Sequence, residues 1–262
     1  MSGYPGFGVI LARLMNRRKM DAASLSAASG VSEADLHRLL SGEPPLPSHL
    51  LGLSAAFGLH IADLYVIADV PVPEVFAPQD PTAESEAVRL IEITMALPYD
   101  QRARVRRLVE EAPQEPREPS GPVRSYDQRE AGPGALLVNL CGNRNLHSLP
   151  ATAKTLALLT EERVYLASST ISAIGRGRAP LTSKLIFGFA TILGISTGDL
   201  ATVAGLESVE PPLPQDSPAA ELAGLLWDCR RLTAVQVKAV RDEAKLMLLS
   251  APGDFADERG TR

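Results

Sequence analysis

The sequence predicts an all-α fold: two five-helix bundles in tandem, each followed by a helical tail. Three observations lead there. Apolar residues recur at helical spacing, and no alternating apolar–polar run is long enough to argue for a sheet. The chain repeats itself. And 262 residues, 45% of them hydrophobic, suffice for two small cores.

The repeat fixes the boundaries, because duplicated units expose the positions a fold needs. "LSAAFGLHIADL" (Leu53 to Leu64) aligns with "FATILGISTGDL" (Phe189 to Leu200), and "PQDP" at Pro78 and "PQDSP" at Pro214 follow at the same distance. "LPYDQRARVRRLVEE" from Leu97 aligns with "LTAVQVKAVRDEAKL" from Leu232, an offset of 135. The expected organisation is a first bundle over 1–68, a Pro-rich connection and helical tail over 69–112, and a flexible linker over 113–133. A second bundle over 134–206, a second connection and tail over 207–250 and a disordered terminus over 251–262 complete it. The linker reading rests on the Pro, Gly and charge content of Glu111 to Gly134, which is expected not to form a packed helix or core.

In the first bundle, Ile10, Leu11, Leu14 and Met15 form one face of a helix over Val9 to Arg18. Asp21 is placed to cap a second helix carrying Leu25, Gly30 makes the turn, Val31 plugs the core, and Ser32 caps a third helix. Leu36, Leu39 and Leu40 hold that helix down and Gly42 ends it. A fourth helix over Leu50 to Phe57 and a fifth from Ile61 to Leu64 close the bundle. The second unit supplies Leu136 to Cys141, Thr152 to Thr160, a turn through Val164 to Leu166, "ASSTISAIGRGR" and "KLIFGFATILGISTGDL". There Ile171, Ile174 and Gly177 match Leu36, Leu39 and Gly42.

Each tail carries an apolar stripe that must be buried: Leu90, Ile91, Met95, Val105 and Leu108 in the first, Leu225, Leu226, Val240 and Met247 near Trp227 in the second. Either the two tails pack on each other as an internal pseudo-dimer, or each pairs with its counterpart in a second chain as a homodimer.

The spacing Leu25, Gly30, Val31, Leu36, Leu39, Gly42 and "LLGLSAAFGLHIADLY" resembles the Cro/C1-type (Xre) helix-turn-helix DNA-binding family over Ile10 to Tyr65. The second unit and both tails resemble the variant in mycobacterial EspR-type regulators, which append a helical dimerisation tail. Those carry one unit per chain, whereas this chain carries two. The resemblance implies a sequence-specific transcriptional regulator with double-stranded DNA as partner.

Charge decides how each unit could serve that role, since DNA affinity rests on phosphate neutralisation. Residues 1–80 hold five Lys/Arg against eight Asp/Glu, and residues 134–216 hold six of each, in a chain of net charge −5. The second unit offers Ser168, Ser169, Thr170 and Ser172 on its groove-facing helix, with Arg176, Arg178 and Lys184 beside it, and is expected to dominate DNA contact. The first offers Ser32, His37 and Arg38, with Arg17 and Arg18. Its Glu33, Asp35 and Glu43 repel phosphate; two of them also stabilise a helix N-terminus. The other reading is therefore a degenerate helix-turn-helix unit whose acidic residues Glu33, Asp35 and Glu43 dock on a regulator or on the transcription machinery.

No nucleophile–base pair, HExxH or Gly-x-Ser-x-Gly appears, so no enzyme and no cofactor are expected. His37, His49, His60 and His147 lack ligand spacing, so no metal is expected, and Cys141 and Cys229 read as buried thiols. No apolar run spans a membrane and no leader precedes the first helix, so a cytoplasmic location, at the nucleoid if DNA is bound, is expected.

Overall fold

The structure, a computed structural model, describes residues 4–117, 124–206 and 218–250, and all of its regular structure is helical. The expectations for 207–217 and 251–262 lie outside the described residues, as do residues 118–123 of the expected linker.

Five helices form the first bundle: α1 (Phe7–Arg18), α2 (Ala22–Ser29), α3 (Glu33–Leu40), α4 (Pro47–Phe57) and α5 (Ile61–Ile67). The side chain of Asp21 accepts from Ser24 N while Ser24 Oγ accepts from Asp21 N, so α2 starts with both donors satisfied. Ser32 Oγ does the same for the Asp35 amide at the start of α3. Leu25, Leu36, Leu39, Leu50, Leu53 and Leu64 are buried between the helices.

Next come α6 (Glu84–Met95) and α7 (Tyr99–Glu111), a single turn α8 (Gln128–Ala131), and five more helices. These are α9 (Pro133–Gly142), α10 (Leu149–Leu159), α11 (Ser168–Gly175), α12 (Ser183–Leu193) and α13 (Thr197–Ala204). Last are α14 (Ala219–Cys229) and α15 (Ala234–Ser250). The packing of α9–α13 parallels that of α1–α5: α1 rests on α3 and α9 on α11, α2 on α4 and α10 on α12, α4 on α5 and α12 on α13.

Two local details repeat. A Cβ on Gly8 would stand 2.3 Å from Leu39 O, and one on Gly134 would stand 2.2 Å from Ile174 O, so α1 meets α3 and α9 meets α11 backbone to backbone. At the end of α2, Ser29 Oγ donates to Leu25 O and accepts from Val31 N; just past α10, Thr160 Oγ1 donates to Leu156 O and accepts from Val164 N. A hydroxyl thus aims each buried valine into its core. The difference lies in the turn: three residues separate α2 from α3, while residues 160–167 separate α10 from α11.

The helices α6, α7, α14 and α15 pack together, α6 chiefly on α15, within one chain. Leu90, Ile91, Val105, Leu225, Leu226, Val240 and Met247 are buried there, and Met95 and Leu108 are half-buried against them. Arg241 of α15 pairs with Glu86 of α6, and Arg102 of α7 pairs with Glu221 of α14 at 2.9 Å. Burial pushes the thiols of Cys141 and Cys229 up to about 12.

The segment expected as a flexible linker makes hydrogen bonds to neighbouring elements at both described ends. Arg117 donates to the carbonyls of Pro78 (2.6 Å) and Ala77 (2.9 Å), and Gln114 donates to Arg231 O at 3.1 Å. On the other side, Gln128 of α8 is buried and donates to Val66 O at 2.8 Å, and Asn139 holds both the amide and the carbonyl of Tyr126. A segment too polar for a core of its own can still be fixed when its side chains satisfy carbonyls that neighbouring elements leave open.

Candidate nucleic-acid interface

On α3, the polar residues are engaged with one another. Ser32 Oγ donates to Asp35 Oδ2 at 2.6 Å, and Arg38 forms an ion pair with the other carboxylate oxygen. Those two contacts, Ser32 first, hold the Asp35 carboxyl below its ordinary range. Arg38 also lies 3.8 Å from Glu43, and His49 lies 3.9 Å from Asp35. His37 is exposed with Nδ1 at 2.7 Å from Glu33 O, so Nδ1 carries the proton and donates. The one cation of this face therefore already sits between two carboxylates, and Asp35 and Glu43 are themselves partly compensated.

The corresponding face of α11 carries no carboxylate. Ala167 stands at its cap position, so no side chain closes its first turn. Ser169 is exposed and Ser168, Thr170 and Ser172 are half-buried along the helix, while Ile171 and Ile174 anchor the opposite side. Arg176 and Arg178, just past the C-terminus, and Lys184, in the first turn of α12, are exposed and carry no ion pair to another described residue. Position for position, Arg178 stands where the first bundle has Glu43 and Thr170 where it has Asp35, at the offset of 135.

Arg17 and Arg18 lie against the second bundle. Arg17 Nε lies 3.1 Å from Asp199 Oδ1, and Arg18 Nη2 lies 2.7 Å from Asp199 Oδ2 and donates to Phe57 O at 3.2 Å. The cause is the docking of α1 on α13, which brings the basic end of α1 against a carboxylate that is nearly buried. A Cβ on Gly198 would overlap the Arg17 guanidinium, so the glycine before Asp199 is what admits it.

This seam has a second half that sequence reasoning missed. Arg144, just beyond α9, is fully buried; it pairs with Asp63 and donates to Leu193 O, while Asn143 Nδ2 donates to Asp63 at 2.9 Å. Asp63 and Asp199 are each the third residue of α5 and α13, and Phe57 and Leu193 are each the last residue of α4 and α12. Each bundle thus sends an arginine to the other's aspartate and to its own fourth-helix carbonyl. Such reciprocity is what a two-fold interface produces. The halves differ in cover: Trp227 of α14 lies over Arg144 (4.9 Å), is stacked on His60 (3.5 Å between ring centres), and is capped by Arg230 at 4.1 Å. Burial drives the His60 imidazole down to about 4.

Among the described residues no group of His, Cys, Asp or Glu is placed to hold a metal, and no single helix is long and apolar enough to cross a membrane.

Residues 11–69, from within α1 to two residues past the end of α5, match the family model of the Cro/C1-type HTH DNA-binding domain. No curated protein and no solved structure matches the chain. The first bundle is accordingly similar to a helix-turn-helix domain whose ligand class is DNA.

Proposed function

We propose that the protein is a sequence-specific DNA-binding transcriptional regulator in which α1–α5 and α9–α13 are two divergent copies of one helix-turn-helix unit, the second dominating DNA contact. The observation that carries this is the contrast in free charge: Arg176, Arg178 and Lys184 surround α11 without ion pairs to other described residues, whereas Arg38 of α3 is already paired. Phosphate contacts from those three cations position the unit, and Ser168, Ser169, Thr170 and Ser172 face base edges. Ser32, His37 and Arg38 add weaker contacts in the first unit. The reciprocal arginine–aspartate seam and the packing of the tails on each other favour a chain that presents two units as a homodimer would, to half-sites about 34 Å apart. Docking of a protein partner on Glu33, Asp35 and Glu43 gains no support, because Arg38 lies between two of these acids.

Fluorescence anisotropy with a duplex selected from random sequence tests the reading. Arg176→Glu with Arg178→Glu should abolish binding. Neutralising either residue to Gln should flatten the slope of log affinity against log salt by about 0.9 for each phosphate that is no longer neutralised. Arg38→Gln should have the smaller effect. Unchanged affinity and slope in the α11 variants would refute the assignment.

A further inference from the structure

The turn into α11 is longer than its counterpart in the first bundle, and the extra residues can be located. Val31 and Val164 hold the same position, each amide bound by the hydroxyl that closes the preceding helix. Ser32 caps α3 directly after Val31, whereas Tyr165 and Leu166 come between Val164 and Ala167, the cap position of α11. The second unit therefore carries two residues immediately ahead of its groove-facing helix that the first unit lacks.

The two inserted side chains face opposite ways. Val164 is buried and Leu166 is half-buried against the core, which pins the chain on either side of Tyr165 and leaves its ring outside, 79% exposed. No other large apolar side chain among the described residues is as exposed, and the Tyr165 hydroxyl bonds to none of them. The backbone that leads to it is unusual as well: Glu161 and Glu162 lie at φ 50° and 60°, in the left-handed region that residues other than glycine rarely enter. Such conformations persist where the surrounding structure enforces them, and they gather at functional sites.

Position and charge then narrow what the ring can meet. With eight residues, α11 is about 12 Å long, close to the width of the major groove. Arg176 and Arg178 follow its C-terminal end and Tyr165 precedes its N-terminal end, so a helix set between two sugar–phosphate strands brings them to opposite strands. Residues 160–167 hold Glu161 and Glu162 against Arg163 alone, so a phosphate contact from this turn rests on a neutral donor rather than on charge. A phenol O–H is such a donor.

We infer that Tyr165 is a DNA-contacting residue of the second unit, its hydroxyl donating to a phosphate on the strand opposite the one that Arg176 and Arg178 neutralise. The inference rests on the DNA reading proposed above and adds to it a second grip that the first unit has no residue to match.

Anisotropy titrations of the full chain use the duplex selected from random sequence, and copies of it in which one phosphate at a time is replaced by a neutral methylphosphonate. Tyr165→Phe, which removes only the hydroxyl of an exposed ring, should leave Tm unchanged and weaken binding of the parent duplex about fivefold, the loss of one net hydrogen bond. Its slope of log affinity against log salt should remain that of the native protein, because a neutral donor releases no counterion, whereas Arg178→Gln flattens the slope. One methylphosphonate, on the strand opposite those to which Arg178→Gln has become insensitive, should weaken the native protein and leave Tyr165→Phe unaffected. Equal affinity of Tyr165→Phe and the native protein, or equal losses by both at every methylphosphonate, would overturn the contact while the DNA reading stands. A native chain that retains no duplex would overturn that reading and the contact with it.

Discussion

Removing the Asp63 charge should unbalance the molecule far more than removing that of Asp199, although the two aspartates occupy the same place in the reciprocal seam. Asp63 and Arg144 are both fully buried, and Asp63→Asn leaves a guanidinium under Trp227 with no counter-charge and no path to water. Breaking such a pair from one side costs about 3–5 kcal/mol. Asp199 is nearly as buried, but its partners Arg17 and Arg18 keep 44% and 43% of their side-chain surface in solvent, so water reclaims them when the carboxylate is removed. That removal should cost about 1 kcal/mol or less. At about 2–4 °C per kcal/mol for a chain of this size, Asp63→Asn should lower Tm by roughly 6–20 °C and Asp199→Asn by only a few degrees. Thermal melts and urea midpoints on both variants measure the difference. Arg144→Met in the Asp63→Asn background should recover at least half the loss, because an apolar side chain needs no counter-charge. Equal destabilisation by the two aspartate variants, or no recovery in the double variant, would refute the reasoning.

Two other predictions concern packing and pH. Gly8→Ala and Gly134→Ala should each cost about 1–3 kcal/mol through forced separation of backbones that now touch, while Gly6→Ala, whose Cβ would meet nothing within 4 Å, should leave the urea midpoint unchanged. His60 titrates near its ordinary value of 6.5 in the unfolded chain and at about 4 in the folded one, so between those values the unfolded state binds more protons. Its contribution to stability is complete above 6.5 and lost as pH falls toward 4. The urea midpoint of His60→Phe should therefore decline less than that of the native protein across this window; parallel decline would contradict the burial argument.

What could be read from the sequence follows how local its cause is. The caps at Asp21 and Ser32 and the burial of Leu36, Leu39, Ile171 and Ile174 depend on a few neighbouring residues, and pattern alone points to them. The seam does not. Arg144 sits in "GNRNLHSLP", which reads as an exposed polar loop, and its charge is matched by Asp63, 81 residues away. Arg17 and Arg18 read as a solvent-facing basic helix end, and only the docking of α1 on α13 redirects them. Alignment conceals the correspondence further: Arg18 and Arg144 differ by 126 positions and Asp63 and Asp199 by 136, the excess falling mainly in the longer α10 and the turn at 160–167. For the candidate DNA face, residue types on α3 and α11 were legible, but the pairing of Arg38 with Asp35 and Glu43 needed the side-chain geometry.

Selection of duplexes from random sequence, at the low salt where counterion release favours binding most, tests the central proposal most directly. The expected result is a retained site bound by one chain, with two half-sites of unequal information and the stronger half abolished by charge reversal of Arg176 and Arg178. Failure to enrich any sequence over the starting pool would contradict it.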